Sequence, residues 1–102
     1  MSDVTPEINL IATFRAKDGH FEDVRALIVG YGDFVRQEPG NVFFEIYSDF
    51  EDTHEFVIVE RYRDQEAFDA HLGTREGQLF NESLSPLIEG SGSQLQFLTR
   101  HS

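Results

Sequence analysis

The sequence predicts an α+β protein in which an antiparallel sheet carries its helices on one face. Segments with apolar residues at every second position alternate with segments of helical periodicity, in the order β-α-β-β-α-β. This is the split β-α-β pattern of ferredoxin-like folds. The length of 102 residues fits one domain, which we expect to span residues 1–102 with its core at about 7–100.

The first two elements are a strand and an amphipathic helix. Apolar residues alternate with others over residues 7–16, which predicts a strand, and recur at helical spacing over about residues 20–37. Asp18 precedes this helix at a position where it would act as the N-cap. Gly30 and Gly32 weaken a helix by roughly 1 kcal/mol each relative to alanine, unless they allow a neighbouring element to approach closely.

A β-hairpin follows and leads into the second helical region. Residues 41–50 and 55–63 are rich in β-branched and aromatic residues, and a polar turn separates them. Asp64 is the predicted N-cap of a short helix that contains Phe68 and His71.

The second helical region is predicted in two pieces, followed by a last strand. A Gly-Thr pair at residues 73–74 breaks or bends the helix, and the apolar stripe then continues over residues 79–88. A Ser-Pro pair at residues 85–86 interrupts it near the end. Residues 90–93 form a flexible connector, and residues 94–100 alternate as the final strand.

The predicted strands are apolar on both faces, although the helices can cover only one. In the third strand, Val57 and Val59 point away from Ile58. An antiparallel sheet with one solvated face alternates between apolar and polar residues, so the second face is expected to pack on another surface. A homodimer formed sheet against sheet is the simplest partner. The alternative is that the apolar residues on the second face reflect only the β-propensity of their residue types.

Composition disfavours several classes of function. The formal net charge of -11 argues against nucleic acid and anionic membranes as partners, and it favours an uncharged or weakly acidic small-molecule substrate. A chain without cysteine has no disulfide and no thiolate nucleophile. The polar N-terminal segment lacks the pattern of a signal peptide, and no apolar run approaches the ~18 residues of a membrane helix. We therefore expect a soluble cytoplasmic protein.

The sequence contains no established cofactor or metal motif. The histidines lack the HxH or HxxxH spacing that holds a metal ion; they are His20, His54, His71 and His101. Neither a glycine-rich phosphate loop nor a GxSxG nucleophile elbow occurs. We therefore expect no bound nucleotide, no metal and no serine-hydrolase chemistry.

His71 is the candidate catalytic residue. It follows Phe68 by three positions and Ala67 by four, so its side chain lies on or near the apolar face of the helix. An imidazole held there by a carboxylate can act as a base or an acid near neutral pH. The alternative is a packed histidine with a purely structural role.

Two glutamates lie near this helix in sequence. Glu60 shares a strand face with Tyr62, and a carboxylate on a covered face needs a partner. Arg15, Arg100 or a second subunit could supply it, so Glu60 is either an orienting group or one half of a structural ion pair. Glu76 follows Thr74, a candidate helix N-cap. It therefore falls in the first turn of a helix, where the helix dipole favours an acidic residue irrespective of function.

Three short patches make the chain similar to the antibiotic biosynthesis monooxygenase family, the quinol monooxygenase-like proteins. They are residues 38–40 (Glu-Pro-Gly), 60–62 (Glu-Arg-Tyr) and 70–74 (Ala-His-Leu-Gly-Thr). The resemblance covers about residues 7–100. It implies a ferredoxin-like homodimer whose two sheets form a joint α/β barrel, with a ligand pocket between helices and sheet in each subunit.

The resemblance also implies a chemistry and a set of site residues. Some members of the family oxidise phenolic polyketides or quinols with O2 and use no metal, flavin or other cofactor. His71 would then be the base that deprotonates a phenol or enol, and an apolar pocket would protect the anion that reduces O2. Tyr62, Phe68 and Phe80 would form aromatic walls around the substrate, with Glu76 as a further substrate contact.

This chain departs from the family pattern at three positions. Tyr62 stands where the family often has tryptophan, and Glu76 stands where it often has a second histidine. Asn81 falls at the position of the iron ligand in haem-degrading relatives, and the chain contains no tryptophan. The asparagine and the lack of tryptophan argue against haem degradation.

The leading functional hypothesis is a cofactor-independent monooxygenase of a small aromatic, phenolic or quinol substrate. One alternative is an acid–base isomerase on the same scaffold, because some relatives handle small phosphorylated sugars. The other is a non-catalytic dimeric module for ligand binding or stress response. A polar-lined cavity beside His71 favours an enzyme, whereas a cavity filled by side chains favours the non-catalytic module.

Overall fold

The computed structural model describes residues 6–102 and has the element order expected from the sequence. The strands are β1 (Ile8–Arg15), β2 (Asn41–Ser48), β3 (Glu55–Tyr62) and β4 (Gln94–Leu98), and the helices are α1 (Phe21–Val35), α2 (Gln65–Leu72) and α3 (Arg75–Leu84). A 3-10 helix at Ser85–Leu87 follows α3 at the Ser-Pro pair. The α+β class and the two-piece second helical region are confirmed.

The four strands form one antiparallel sheet in the order β2-β3-β1-β4. Alternate residues of β1 and β3 are buried under the helices, and the intervening residues are only half-buried. Glu60 is on the buried face, opposite Leu10 of β1 and Phe44 of β2. The pleat of the two central strands therefore carries a carboxyl group into the space between the sheet and the helices.

Side-chain caps set the start of two helices. Asp64 Oδ1 accepts a hydrogen bond of 2.8 Å from the Ala67 amide, and Thr74 Oγ1 accepts one of 3.1 Å from the Gly77 amide. Both caps are as predicted. The prediction for Asp18 is wrong, because the chain turns at Gly19 with φ of +84° and α1 begins after His20, which makes no side-chain cap.

Membrane insertion through a helix finds no support in the fold. None of the helices formed by residues 6–102 is long and apolar enough to cross a bilayer. The prediction that the N-terminal segment is no signal peptide depends on residues 1–7, of which residues 1–5 lie outside the described residues.

Three glycines differ in how closely other atoms approach them. A methyl group on Gly32 would lie 3.0 Å from Ile46 Cδ1, whereas one on Gly30 would meet nothing within 4 Å. The close approach proposed for the α1 glycines is therefore confirmed for Gly32 and wrong for Gly30. At Gly40 a methyl group would overlap the Ala67 side chain, so this glycine allows the segment after α1 to pack directly on α2.

We expect Gly40→Ala to destabilise the protein by about 1–3 kcal/mol, because the added methyl group has no space beside Ala67. The matched control is Gly30→Ala, which should stabilise it by up to about 1 kcal/mol through helix propensity alone. Urea unfolding followed by circular dichroism measures both. Equal stability of Gly40→Ala and the parent protein would contradict the close packing of Gly40 on Ala67.

Candidate functional site

A cavity of about 1140 Å³ opens between the helices and the buried face of the sheet. Pockets for small-molecule ligands are commonly of this order of size. No lysine or arginine occurs among the described residues that line it. Much of the lining is apolar and aromatic, including Leu10, Phe14 and Ile58 of the sheet and Tyr31, Phe68 and Phe80 of the helices.

His71 lines this cavity and is held by a carboxylate from a distant part of the chain. Its Nδ1 atom lies 2.9 Å from Glu38 Oε1 and 3.2 Å from Glu38 Oε2. The two side chains are only 9% and 14% exposed. An ionised carboxylate can only accept hydrogen bonds, so Nδ1 carries the proton and Nε2 of the neutral ring is left as an acceptor.

The Nε2 atom of His71 faces the cavity. It makes no hydrogen bond to any residue of the described chain. Among residues 6–102, no fully buried side-chain nitrogen or oxygen lacks a partner. Nε2 is therefore accessible, and His71 lines the cavity. The arrangement gives an imidazole of fixed tautomer whose free nitrogen can accept a proton.

Aromatic rings surround the His71 imidazole and restrict its orientation. The rings of Tyr62, Phe68 and Tyr31 have centroids 4.8, 6.1 and 6.2 Å from it. Tyr31 in turn stacks on Phe80 at 4.2 Å with an interplanar angle of 6°. Such contacts fix the side-chain rotamer by packing, so the direction of Nε2 is set by neighbours on α1, α2 and β3.

Glu60 is a buried carboxyl group of the cavity wall, and its partner is Tyr62. The Tyr62 hydroxyl donates a hydrogen bond of 2.8 Å to Glu60 Oε1. Both side chains point to the same face of β3 because they are two residues apart. Tyr62 is fully buried and Glu60 is 6% exposed, so this bond satisfies the buried hydroxyl and one carboxyl oxygen.

Of the two alternatives for Glu60, an ion pair with Arg15 or Arg100 is wrong. Arg15 instead pairs with Asp52 at 2.9 Å and with Glu89 at 2.6 Å, close to the hairpin turn. Arg100 pairs with Glu7 at 2.9 Å near the end of the sheet. Both arginines are thus engaged elsewhere, and a neutral phenol takes the place of a cation.

The absence of a cationic partner changes the ionisation of Glu60. Burial raises its pKa to about 7; the Tyr62 hydrogen bond lowers the pKa, and the nearby Glu38 charge raises it further. Burial, together with carboxylates that include Glu38 and Glu60, also raises the pKa values of Tyr31 and Tyr62 above their usual range. The phenols therefore keep their protons, while the Glu60 carboxyl group titrates near neutral pH.

The structure brings together most of the residues selected from the sequence. His71, Glu60, Phe68 and Phe80 line the cavity. Tyr62 lies behind the lining, where it contacts Glu60 and His71. Glu76 is exposed on α3 and is not among the lining residues. Substrate contacts by these side chains remain predictions.

Two residues of the site were missed in the sequence. Glu38 belongs to one of the family patches, but nothing local in that patch indicates that it reaches His71. Tyr31 belongs to the apolar stripe of α1, where it is indistinguishable from a core residue. Only the packing of α1 on the sheet and α3 shows that Tyr31 lines the cavity. Among residues 6–102, no group of three or more His, Cys, Asp or Glu is placed to hold a metal ion.

Comparisons with known proteins agree on the fold. A family model described as antibiotic biosynthesis monooxygenase matches residues 8–83. PA3566 from Pseudomonas aeruginosa is 25% identical with a TM-score of 0.88, over 99% of this chain and 100% of that chain. Rv0793 from Mycobacterium tuberculosis is 23% identical with a TM-score of 0.87, and the match covers 95% of this chain and 97% of that chain. A solved structure of an antibiotic biosynthesis monooxygenase is 20% identical with a TM-score of 0.85, and the match covers 93% of this chain and 99% of that chain. No curated protein matches the chain significantly.

The raised pKa of Glu60 predicts how the free energy of unfolding depends on pH. Between about pH 4.5 and pH 7 the folded carboxyl group holds a proton that the unfolded one has lost, so folding stability falls as pH rises. The slope is at most roughly 1.4 kcal/mol per pH unit. Glu60→Gln removes this contribution, and we expect it to gain stability relative to the parent protein across this window.

Urea unfolding at several pH values measures the effect. The matched control is Glu66→Gln on the exposed side of α2, whose stability curve should run parallel to that of the parent protein. A Glu60→Gln curve that is also parallel would show that Glu60 ionises normally in the folded state.

Proposed function

The chain belongs to the antibiotic biosynthesis monooxygenase family, as the three sequence patches indicated, and we propose that it is a monooxygenase of a small aromatic phenol, enol or quinol. The observation that carries the proposal is the His71 imidazole, whose Nδ1 is held by Glu38 while Nε2 opens on an aromatic cavity. This is the arrangement of a general base beside a ligand site.

The first step of the proposed reaction is proton removal by His71. Nε2 accepts the proton of a phenol or of an activated carbon acid, and the resulting imidazolium keeps its Nδ1–H bond to Glu38. The carboxylate therefore both sets the tautomer before the step and stabilises the positive charge after it.

The electrons for O2 come from the substrate anion. For an activated methylene group, the methylene carbon and one molecule of O2 give a carbonyl group and one molecule of water. One oxygen atom forms the new carbonyl group, the other leaves as water with both methylene hydrogens, and the four electrons come from the oxidised carbon. We propose that this electron-rich anion makes a separate cofactor unnecessary.

The aromatic lining supports a planar, uncharged substrate. Phe68 and the stacked pair of Tyr31 and Phe80 present ring faces and edges to the cavity, and such surfaces bind flat aromatic molecules. They also limit access of water to a reactive anion.

The two competing functions have less support. An isomerase of phosphorylated sugars needs a cation for the phosphate group, and the cavity lining contains neither lysine nor arginine among the described residues. A non-catalytic module predicts a space filled by side chains, whereas this cavity is open and its walls carry polar side chains that include His71 and Glu60.

Oxygen consumption with a panel of quinols and anthrones tests the proposed activity. We expect His71→Ala to lower kcat by about 10²- to 10⁴-fold, the usual contribution of a general base. The control His101→Ala alters an exposed histidine outside the cavity and should leave turnover unchanged. Unchanged turnover of every accepted substrate by His71→Ala would exclude His71 as the base.

We also propose a homodimer formed through the face of the sheet that the helices leave uncovered. The ladder brings apolar side chains together on this face, because Ile11 pairs with Val59 and Tyr47 with Val57. Polar side chains, among them Glu45 and Gln96, border this cluster. An apolar cluster rimmed by polar side chains often marks a surface that binds another protein. The same face also contains Phe43, on which the Arg61 guanidinium stacks at 4.9 Å, and Leu98 of β4 at the edge of the sheet.

Sedimentation velocity tests this interface. We expect the parent protein to sediment as a dimer and Val59→Asp to sediment as a monomer, because the introduced carboxylate would be buried without a partner. The control Val29→Asp places the same change on the exposed side of α1, where Val29 is 41% exposed, and should remain dimeric. A monomeric parent protein would refute the proposed dimer.

A further inference from the structure

Glu60 has one carboxyl oxygen that the protein leaves free. Oε1 accepts the hydrogen bond from Tyr62, and Oε2 makes no hydrogen bond to any described residue. Within residues 6–102, no side-chain oxygen that is fully buried lacks a partner, so Oε2 is accessible. Glu60 is 6% exposed and lines the cavity. Its free oxygen therefore faces the space where a ligand would bind.

We propose that Glu60 presents a neutral carboxylic acid to the cavity and donates a hydrogen bond from Oε2 to a carbonyl oxygen of the substrate. The inference rests on the proposed function in taking the cavity as the substrate site. It goes further by assigning a specificity residue and a substrate class. The substrate carries both an acidic hydroxyl or C–H group for His71 and a conjugated carbonyl group for Glu60.

The groups around Glu60 favour its neutral form. Its ladder neighbours on β1 and β2 are the apolar Leu10 and Phe44. The titratable groups that face it are Tyr62 on its own strand, Glu38 after α1, Tyr31 on α1 and His71 on α2. Glu82 of α3 also lines the cavity.

None of these groups is a permanent cation. Burial and the Glu38 charge therefore act without a compensating positive charge, which is consistent with a pKa of about 7 for Glu60. A carboxyl group in this condition is a hydrogen-bond donor below neutral pH and only an acceptor above it.

A neutral acid opposite a base suits the chemistry of an enolisable ketone or a hydroxyquinone. When His71 removes the proton, negative charge spreads through the conjugated system to the carbonyl oxygen. A hydrogen bond from Glu60 to that oxygen strengthens as the charge develops, so it stabilises the anion more than the neutral substrate. The proton of Glu60 is shared and not transferred, so the overall balance of the reaction is unchanged.

Equilibrium dialysis with menadione tests this role without any turnover. Menadione is an uncharged naphthoquinone with two carbonyl acceptors and no titratable proton, and the chain has no cysteine to react with it. If only the neutral acid binds the carbonyl group, the apparent Kd rises about tenfold between about pH 6 and pH 8. A plot of log Kd against pH should bend upward at the pKa of Glu60 in the ligand-free protein, which is about 7.

Two variants and one second probe isolate the contribution of Glu60. Glu60→Gln keeps a donor that does not titrate, so its affinity for menadione should be the same at both pH values. The matched variant Glu66→Gln alters an exposed carboxyl group outside the cavity and should keep the tenfold change. Binding of 2-methylnaphthalene, which has the same rings without carbonyl groups, should be independent of pH in all three proteins.

Infrared spectroscopy gives a second measurement that does not depend on ligand binding. The carboxylic-acid C=O stretch of the parent protein should disappear on raising the pH through about 7, and that change should be missing from Glu60→Gln. Three outcomes would each overturn the proposal. The affinity of Glu60→Gln for menadione could still depend on pH, the affinity of the parent protein could be independent of pH, or menadione could fail to bind at either pH.

The role of Glu60 and the monooxygenase activity can fail independently. Oxygen consumption that depends on His71, together with a flat menadione profile, would refute the role of Glu60 and leave the monooxygenase intact. The predicted menadione profile without oxygen consumption by any substrate would support the binding role of Glu60 and refute the monooxygenase.

Discussion

The direct contact between Gly40 and Ala67 is the constraint on which the site depends. Gly40 accepts a hydrogen bond of 2.8 Å from the Arg63 amide, so the segment after α1 is tied to the chain just before α2. Its lack of a side chain lets this segment lie against Ala67. His71 is one helical turn beyond Ala67 on the same face, and Glu38 is two residues before Gly40. A backbone packing contact thereby brings a carboxylate and an imidazole together across 33 positions of the sequence.

Glu38 and Glu60 differ in the side chain to which each is hydrogen-bonded. Glu38 is bonded to an imidazole that can carry a positive charge, whereas Glu60 is bonded to a phenol that stays neutral. Burial without a cation therefore raises the pKa of Glu60 to about 7. Titratable groups whose environments differ in this way often divide the roles of acid and base in an active site. In the proposed site, α2 contributes the base and β3 the neutral donor, on walls of one cavity.

Much of the fold was predictable from the sequence because local signals and tertiary packing agree. Period-two alternation located the strands, and the caps Asp64 and Thr74 located the starts of α2 and α3. The site was predictable only in part. His71 was identified by its place on an apolar helix face, but its partner Glu38 comes from a loop whose position depends on the close packing at Gly40. The partner of Glu60 was missed because a buried carboxylate was expected to pair with a cation. Its partner is instead the hydroxyl group two residues further along the same strand.

Charge balance within the cavity connects these features to the choice of substrate. No lysine or arginine is present in the described lining, and Glu60 is largely neutral below pH 7. A substrate that arrives as an anion would therefore find no counter-charge. In the proposed reaction, a neutral substrate that loses its proton to His71 creates its own counter-charge, because the imidazolium forms beside the anion while Glu38 remains bonded to the ring. The negative charge of the anion and the positive charge of the ring then develop together in a partly buried space, where their attraction is stronger than in bulk water. The cavity is consequently suited to molecules that enter uncharged and become anions only in contact with the base.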